Sequence, residues 1–283
     1  YFFNNLMVKF IMNKRELFLW ISLIVSLHCE KQPIDIEVHL YKNDDVYLTK
    51  NSDQIYTGPT FSKYLNGKRK SSGNLLKGMK NGLWEYWFPK GNKKSEENYK
   101  NGKAHGQWIL WHENNKLKLK GTFINGVPDG LRTEWYDNGN KKERGAFKSN
   151  NLEGIWTSWF PNGKKKAEGQ YIDNKEDGVH IQWHLNGKIK SKAKFSNGQI
   201  SGLRTEWYDT GTKKEEGTVN GDWKSWYENG NKKSEGSYMK QQPEGIHKLW
   251  YENGQKKSEV NFRNGKPNGI SIAWYDNGNK KEE

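Results

Sequence analysis

Cysteine is nearly missing from this chain. One occurs among 283 residues, which excludes an intramolecular disulfide framework and a cysteine-based zinc centre. Long apolar runs are missing too. The most extended, LFLWISLIVSL at 17–27, falls well short of the ~20 residues that a membrane-spanning helix needs. Hydrophobic residues make up 33% of the chain and the mean hydropathy is −1.10, a composition that by itself suits a disordered polymer. Negative charge is the minority sign: 33 Asp and Glu against 47 Lys and Arg leave a net charge of +14. What is present argues for order. The chain holds 14 Trp, 14 Tyr and 11 Phe, whereas disordered segments are poor in aromatics. Its 30 glycines exceed the usual ~7%. A polar, aromatic-studded, turn-rich fold is expected.

Read from Met12, the amino terminus carries Lys14 and Arg15, then the apolar run Leu17–Leu27, then Cys29. A basic head before a short apolar stretch is the pattern of a signal peptide. Residues 1–29 are therefore expected to form a signal helix and anchor region that directs export. Cys29 sits where a bacterial lipoprotein carries its lipidated cysteine, although Ser26-Leu27-His28 departs from the usual box. Two readings stay open, a plain secretory signal and lipid attachment at Cys29, and a cytoplasmic location stays open beside them.

From Gly58 onward the chain repeats itself. LRTEWYDNGNKKERGAF at 131–147 returns as LRTEWYDTGTKKEEGTV at 203–219. Tryptophans at 87, 111, 135, 159, 183 and 207 are 24 residues apart; Trp226 follows after 19, then Trp250 and Trp274 after 24 each. A glycine lies five residues before every one of them. Gly58 opens a further, degenerate unit, with Lys63 in the tryptophan slot.

Each unit reads as a glycine, a strand ending in Trp-Tyr or Trp-Phe, an Asn-Gly turn, a lysine-rich strand and a looser loop. Asn-Gly favours a type I′ turn because both central residues need positive φ. With Asn162-Gly163 as a two-residue turn, Trp156 faces Gly169 and Gly154 faces Tyr171, and each ring is expected to cover the glycine across its hairpin. Trp156, Phe160 and Tyr171 then share one face, while Ile155, Thr157 and Trp159 share the other. The short unit, with only Asn220-Gly221-Asp222 between Val219 and Trp223, is expected to have lost loop residues and kept its strands. Before the repeats, Ile34, Ile36, Val38 and Leu40 alternate with polar residues. That pattern predicts a half-buried strand paired with VYLT at 46–49.

These units resemble the MORN-repeat variant found in bacterial proteins of the YwqK-type, antitoxin-like family. The resemblance rests on GLWEYWFPKGNKKSE at 82–96, GIWTSWFPNGKKKAEGQY at 154–171 and the segments quoted above. It implies an all-β fold, an elongated and curved single-layer antiparallel sheet of tandem hairpins, with binding rather than catalysis as its role. The expected organisation is a signal region at 1–29, cap strands at 30–57 and ten hairpin repeats at 58–283, the last incomplete.

Catalytic chemistry finds no foothold in the motifs. No Walker loop, dinucleotide fingerprint, GxSxG or HExxH occurs, so no catalytic, cofactor-binding or metal residue is nominated and an enzyme is not expected. His112 and His184 stand in the slot that is Tyr or Phe elsewhere, which packing explains. Two features suggest binding. Trp84, Trp108, Trp156 and Trp223 lie on the face opposite the main tryptophan ladder. Lysine pairs, among them Lys141-Lys142, Lys164-Lys165 and Lys232-Lys233, would form a stripe at ~10 Å intervals. The leading expectation is a non-enzymatic, exported scaffold of the bacterial cell envelope that binds another protein, a toxin or an envelope component. The alternative is an anionic membrane surface or polyanion held by the lysines. An export signal argues against nucleic acid as the partner.

Overall fold

The computed structural model describes residues 31–282. The expected signal helix and anchor region at 1–29, Cys29 included, fall outside the described residues. From Gly58–Lys63 to Lys280–Glu282 the chain is a succession of strands, each antiparallel to the next. They belong to one 22-stranded sheet that does not close into a barrel.

The interior register follows the sequence expectation, with Gly154 opposite Tyr171 and Trp156 opposite Gly169. The turn that produces it differs from the expected one. Phe160 N donates to Lys164 O and Gly163 N to Phe160 O. Gly163 has φ +83° while Asn162 is not left-handed. This is a three-residue loop, a type I turn closed by a left-handed glycine. A β-bulge between Ser158 and Trp159 then absorbs one residue. Loop and bulge offset each other, which is why a two-residue turn predicts the same interior pairing.

The true type I′ turns sit in the segments read as looser loops. Asp173 and Asn174 have φ +48° and +67° and join Ile172 directly to Lys175. The short unit is likewise corrected. Lys213–Gly217 and Asp222–Trp226 have 5 residues each, against 8 and 9 in Lys165–Ile172 and Asn151–Trp159. The missing residues come from strand ends. A hairpin can be trimmed at its far end without disturbing the pairs near Trp226, because each rung is local.

The leading segment is only partly the predicted strand. Ile34–Asp35 pairs, in parallel, with Gly58–Lys63. Ile36–His39 is then a single helical turn, with the Asp35 carboxylate accepting from Glu37 N. Leu40–Asn43 and Val46–Thr49 form the expected small hairpin. An N-capping aspartate overrides the alternating pattern here.

This segment folds over one face of the first hairpins and makes the apolar core. Leu40, Leu75 and Trp84 are buried, ringed by Ile34, Ile36, Tyr47, Tyr56, Tyr86 and Tyr99. Backbone bonds from Tyr47 N to Gly78 O and from Gly78 N to Tyr56 O pin it down. Each large side chain sealed this way contributes about 1.5–3 kcal/mol.

Beyond the cap the sheet is one layer, so neighbours must hold each other. Tyr136 Oη donates to Trp159 O, Tyr208 to Trp226 O, Tyr227 to Trp250 O and Tyr251 to Trp274 O. His112 and His184 make the same bond to Trp135 O and Trp207 O through Nε2, which accounts for their place in the tyrosine slot. Turn asparagines add a second row, Asn138 to Pro161 O and Asn186 to Asp209 O. Each bond is worth about 0.5–1.5 kcal/mol net, and repetition makes the sum matter.

Candidate binding groove

Within each hairpin the residue three before the ladder tryptophan lies on the opposite face from it. This slot holds Trp84, Trp108, Arg132, Trp156, His180, Arg204, Trp223, His247 and Ser271 in turn. Sequence reading noticed only its tryptophans; aligning every unit on the ladder would have put His180 and His247 in the same register. At this slot the pairing between successive hairpins slips, as between Arg144 and Ala146. Gly154, at φ +75°, forms part of that bulge.

The bulge aims each ring backwards. Trp156 lies over Gly145, where a Cβ would overlap the indole, and His180 lies over Gly169 in the same way. The expectation that Trp156 covers Gly169 is therefore corrected: pairing partner and covered glycine differ by one hairpin. Ring nitrogens complete the arrangement. Trp108 Nε1 donates to Asn98 O at 3.0 Å, Trp156 Nε1 to Ala146 O at 3.1 Å and His180 Nε2 to Gln170 O at 2.8 Å. A carbonyl can only accept, so the Nε2 of His180 carries the proton. The same pairing locates the departures from glycine. Ala193 faces Arg204 and Val260 faces Ser271, neither of them a ring, whereas Gly121 keeps glycine beside Arg132 and Glu97 stands opposite Trp108.

A column of rings runs along this face. Phe147 meets Trp156 at 5.2 Å between centroids, Tyr171 meets His180 at 5.2 Å, and His180 meets Phe195 at 5.0 Å, all edge to face. Between Trp156 and Arg204 the surface dips into a groove of about 670 Å³, whose lining includes Glu143, Glu176 and Glu206. At its end Arg204 is bonded to Glu206 and lies 3.6 Å from Glu215. The related unit repeats this with Arg132, bonded to Glu134 and 4.0 Å from Glu143. Glu134 and Glu143 face each other across the strands, and their acidities diverge. Burial would raise Glu134, but Arg132 and Lys142 outweigh it and hold the carboxyl low. Burial and the charge of Glu134 push Glu143 up.

The nominated tryptophans divide. Trp84 is 2% exposed under the cap and offers no surface. Trp108, Trp156 and Trp223 are half-buried on the groove face. The lysines do not form one stripe, because consecutive strand residues point to opposite faces. Lys141 lies over the Trp159 ring at 5.8 Å, while Lys142 bonds Glu134 at 3.3 Å on the groove side. Lys164 donates to Asn186 O in the next turn. Lys165 joins Glu168 at 2.7 Å and lies over Trp183. Lys232 does the same with Glu235 and Trp250, and Lys233 lies 5.5 Å from the Tyr227 ring. Among the described residues no group of three or more His, Cys, Asp or Glu is placed to hold a metal.

The model of the MORN repeat variant matches residues 80–101, 104–125, 128–149, 152–173, 176–197, 219–240 and 243–264, together more than half of the chain. The unmatched gap at 198–218 contains the trimmed strand Lys213–Gly217. No curated protein matches. Among solved structures, the crystal structures of TcdB2-TccC3-Cdc42 and TcdB2-TccC3-TEV are similar at 11% and 8% identity, both with a TM-score of 0.19. They cover 79% and 82% of this chain. The chain spans 15% of the length of each, and so slight a likeness carries no argument about fold or activity.

Proposed function

Because this chain belongs to the MORN repeat variant family, we propose that it is a non-enzymatic scaffold that binds another protein along the face carrying Trp108, Trp156, His180, Trp223 and His247. One observation carries the reading. At Trp84 this ring slot is closed by a folded segment of the chain itself, and the same slot recurs half-buried and uncapped in later hairpins. A surface that already accepts one apolar segment at one end has the chemistry to accept another further along. The lysine alternative has less support, since the nominated lysines lie over rings or pair with carboxylates or, for Lys164, bond a carbonyl of the next turn. Export to a bacterial envelope, with lipid on Cys29, belongs to the proposal, and a toxin or an envelope component would be the partner.

The test separates the two faces. A partner captured by the wild type should be lost with Trp156→Ala plus Trp223→Ala and kept with Ile155→Ser on the ladder face. It should also survive raised salt, which would strip a lysine-held polyanion. Retention by the double variant, or loss at high salt, would overturn the reading. The anchor is tested by palmitate labelling of wild type and Cys29→Ala, where equal labelling would end that part of the proposal.

A further inference from the structure

The first hairpins contain a caged ammonium. Lys80 Nζ lies 4.8 Å from the Trp84 ring centroid, 5.2 Å from Tyr86 and 4.8 Å from Tyr99, and it bonds Tyr86 Oη. Three ring faces around one cation is a recognised way to hold an amine away from bulk water. Lys80 stands seven residues before its ladder tryptophan, Trp87. Four hairpins on, the residue seven before Trp183 is Glu176. Of the three cage rings, Trp84 and Tyr99 are matched there by His180 and Phe195, while Gln182 takes the place of Tyr86. Tyr171, in the slot of Leu75, supplies another ring, packing edge to face on His180 as Phe195 does, with Trp156 in the same lining. The middle hairpins thus assemble a related set of rings around the Lys80-equivalent position, where a carboxylate stands in place of the cation.

Electrostatics point the same way. Glu176 lies 3.7 Å from His180 Nδ1, whose ring is 12% exposed. Glu143, which also lines the groove, has Arg132 only at 4.0 Å, since that guanidinium is bonded to Glu134. Lys190, Arg204 and Lys214 line the groove as well, but Arg204 and Lys214 pair with Glu206, and Lys165 pairs with Glu168. Among the described residues this leaves Glu143 and Glu176 as the lining carboxylates without a close Lys or Arg partner.

We propose that this groove binds a primary ammonium, the lysine side chain of the partner protein, among Trp156, Tyr171, His180 and Phe195, with Glu176 and Glu143 as its counter-charges. The proposal rests on the scaffold reading and names the chemistry of its contact. The rings supply the face on which the methylene stem lies, and the carboxylates select a charged head over an apolar one.

The probe is a pair of peptides, acetyl-Gly-Lys-Gly-amide and its norleucine counterpart, which keeps the stem and lacks the charge. Titration of the full chain, followed by NMR shifts of the aromatic side chains, should show the lysine peptide binding at Tyr171, His180 and Phe195. The norleucine peptide should bind about tenfold more weakly or not at all, as expected when a partly desolvated charge loses its partner. Glu176→Gln with Glu143→Gln should weaken the lysine peptide by a similar factor. Glu176→Lys supplies the decisive variant: it should fill the cage as Lys80 fills the first one, remove peptide binding and leave the melting temperature within a few degrees of wild type. Equal binding of both peptides, or undiminished binding to Glu176→Lys, would overturn the proposal. If the partner is lost with Trp156→Ala yet binds the glutamine double variant as well as wild type, the scaffold stands and the ammonium site fails.

Discussion

The capped first hairpins and the uncapped middle are built from the same repeat and are stabilised differently. Around Trp84 the ring slot lies under a second layer, and stability there comes from excluded water. Around Trp156 the same slot is half-buried, and stability comes from bonds passed between neighbours. The ring packing within the sheet is equivalent in both places, with Gly73 under Trp84 and Gly145 under Trp156. A repeat thus supplies a complete backbone arrangement but half of a core, and the missing half is supplied once, by residues 31–57.

The largest effect should expose that difference directly. Trp84→Ala is expected to cost about 3–5 kcal/mol in urea unfolding, as for a buried ring. Trp156→Ala should cost about 1–2 kcal/mol, because part of that ring is already in water. Equal costs would mean that the cap adds nothing. Next in size is Gly73→Val, which sets a side chain against the buried Trp84 ring and should cost about 1–3 kcal/mol. The reverse substitution Val260→Gly, opposite Ser271, should cost less than that in the same assay.

Acid should separate the two regions as well. In the uncapped hairpins the Lys165 bond holds Glu168 below its ordinary value, the Lys213 bond does so for Glu216, and the Lys232 bond for Glu235. For such groups the unfolded chain binds protons first. The stability they add is complete above the ordinary value of 4.5 and is lost as pH falls through the lowered folded values. Glu143, raised by burial and by Glu134, acts in the opposite sense and limits the loss in its own unit. Hydrogen exchange across this range should show protection fading near 157–168, 205–216 and 232–235 while 60–86 under the cap holds. The smallest effect is a gain. Phe160 stands where most units carry Tyr or His, and Phe160→Tyr should restore a bond to Trp183 O and add about 0.5–1 kcal/mol.

Most of the regular structure could be read from residue spacing. Asn-Gly, the alternating faces and the 24-residue period led to antiparallel hairpins with Trp156 opposite Gly169. The errors have separate causes. Loop length and bulge at Phe160–Lys164 cancel in the register, so a pattern that reports only the register cannot separate them. The helical turn at Ile36–His39 arises from a cap at Asp35 that outweighs alternation. The groove was half legible: its tryptophans were singled out, but His180 and His247 were not placed in the same slot.

What the sequence determined by itself is the repeat, its strands and which residues share a face, because these depend on nearest neighbours and a two-residue period. What only the tertiary structure decided is which glycine each ring covers, where each lysine of a pair goes and which tryptophan is sealed. Those outcomes depend on bulges that turn side chains toward the adjacent hairpin and on a leading segment that folds back across the sheet. Contacts of that kind join residues ten, twenty or more positions apart, and no local pattern records them.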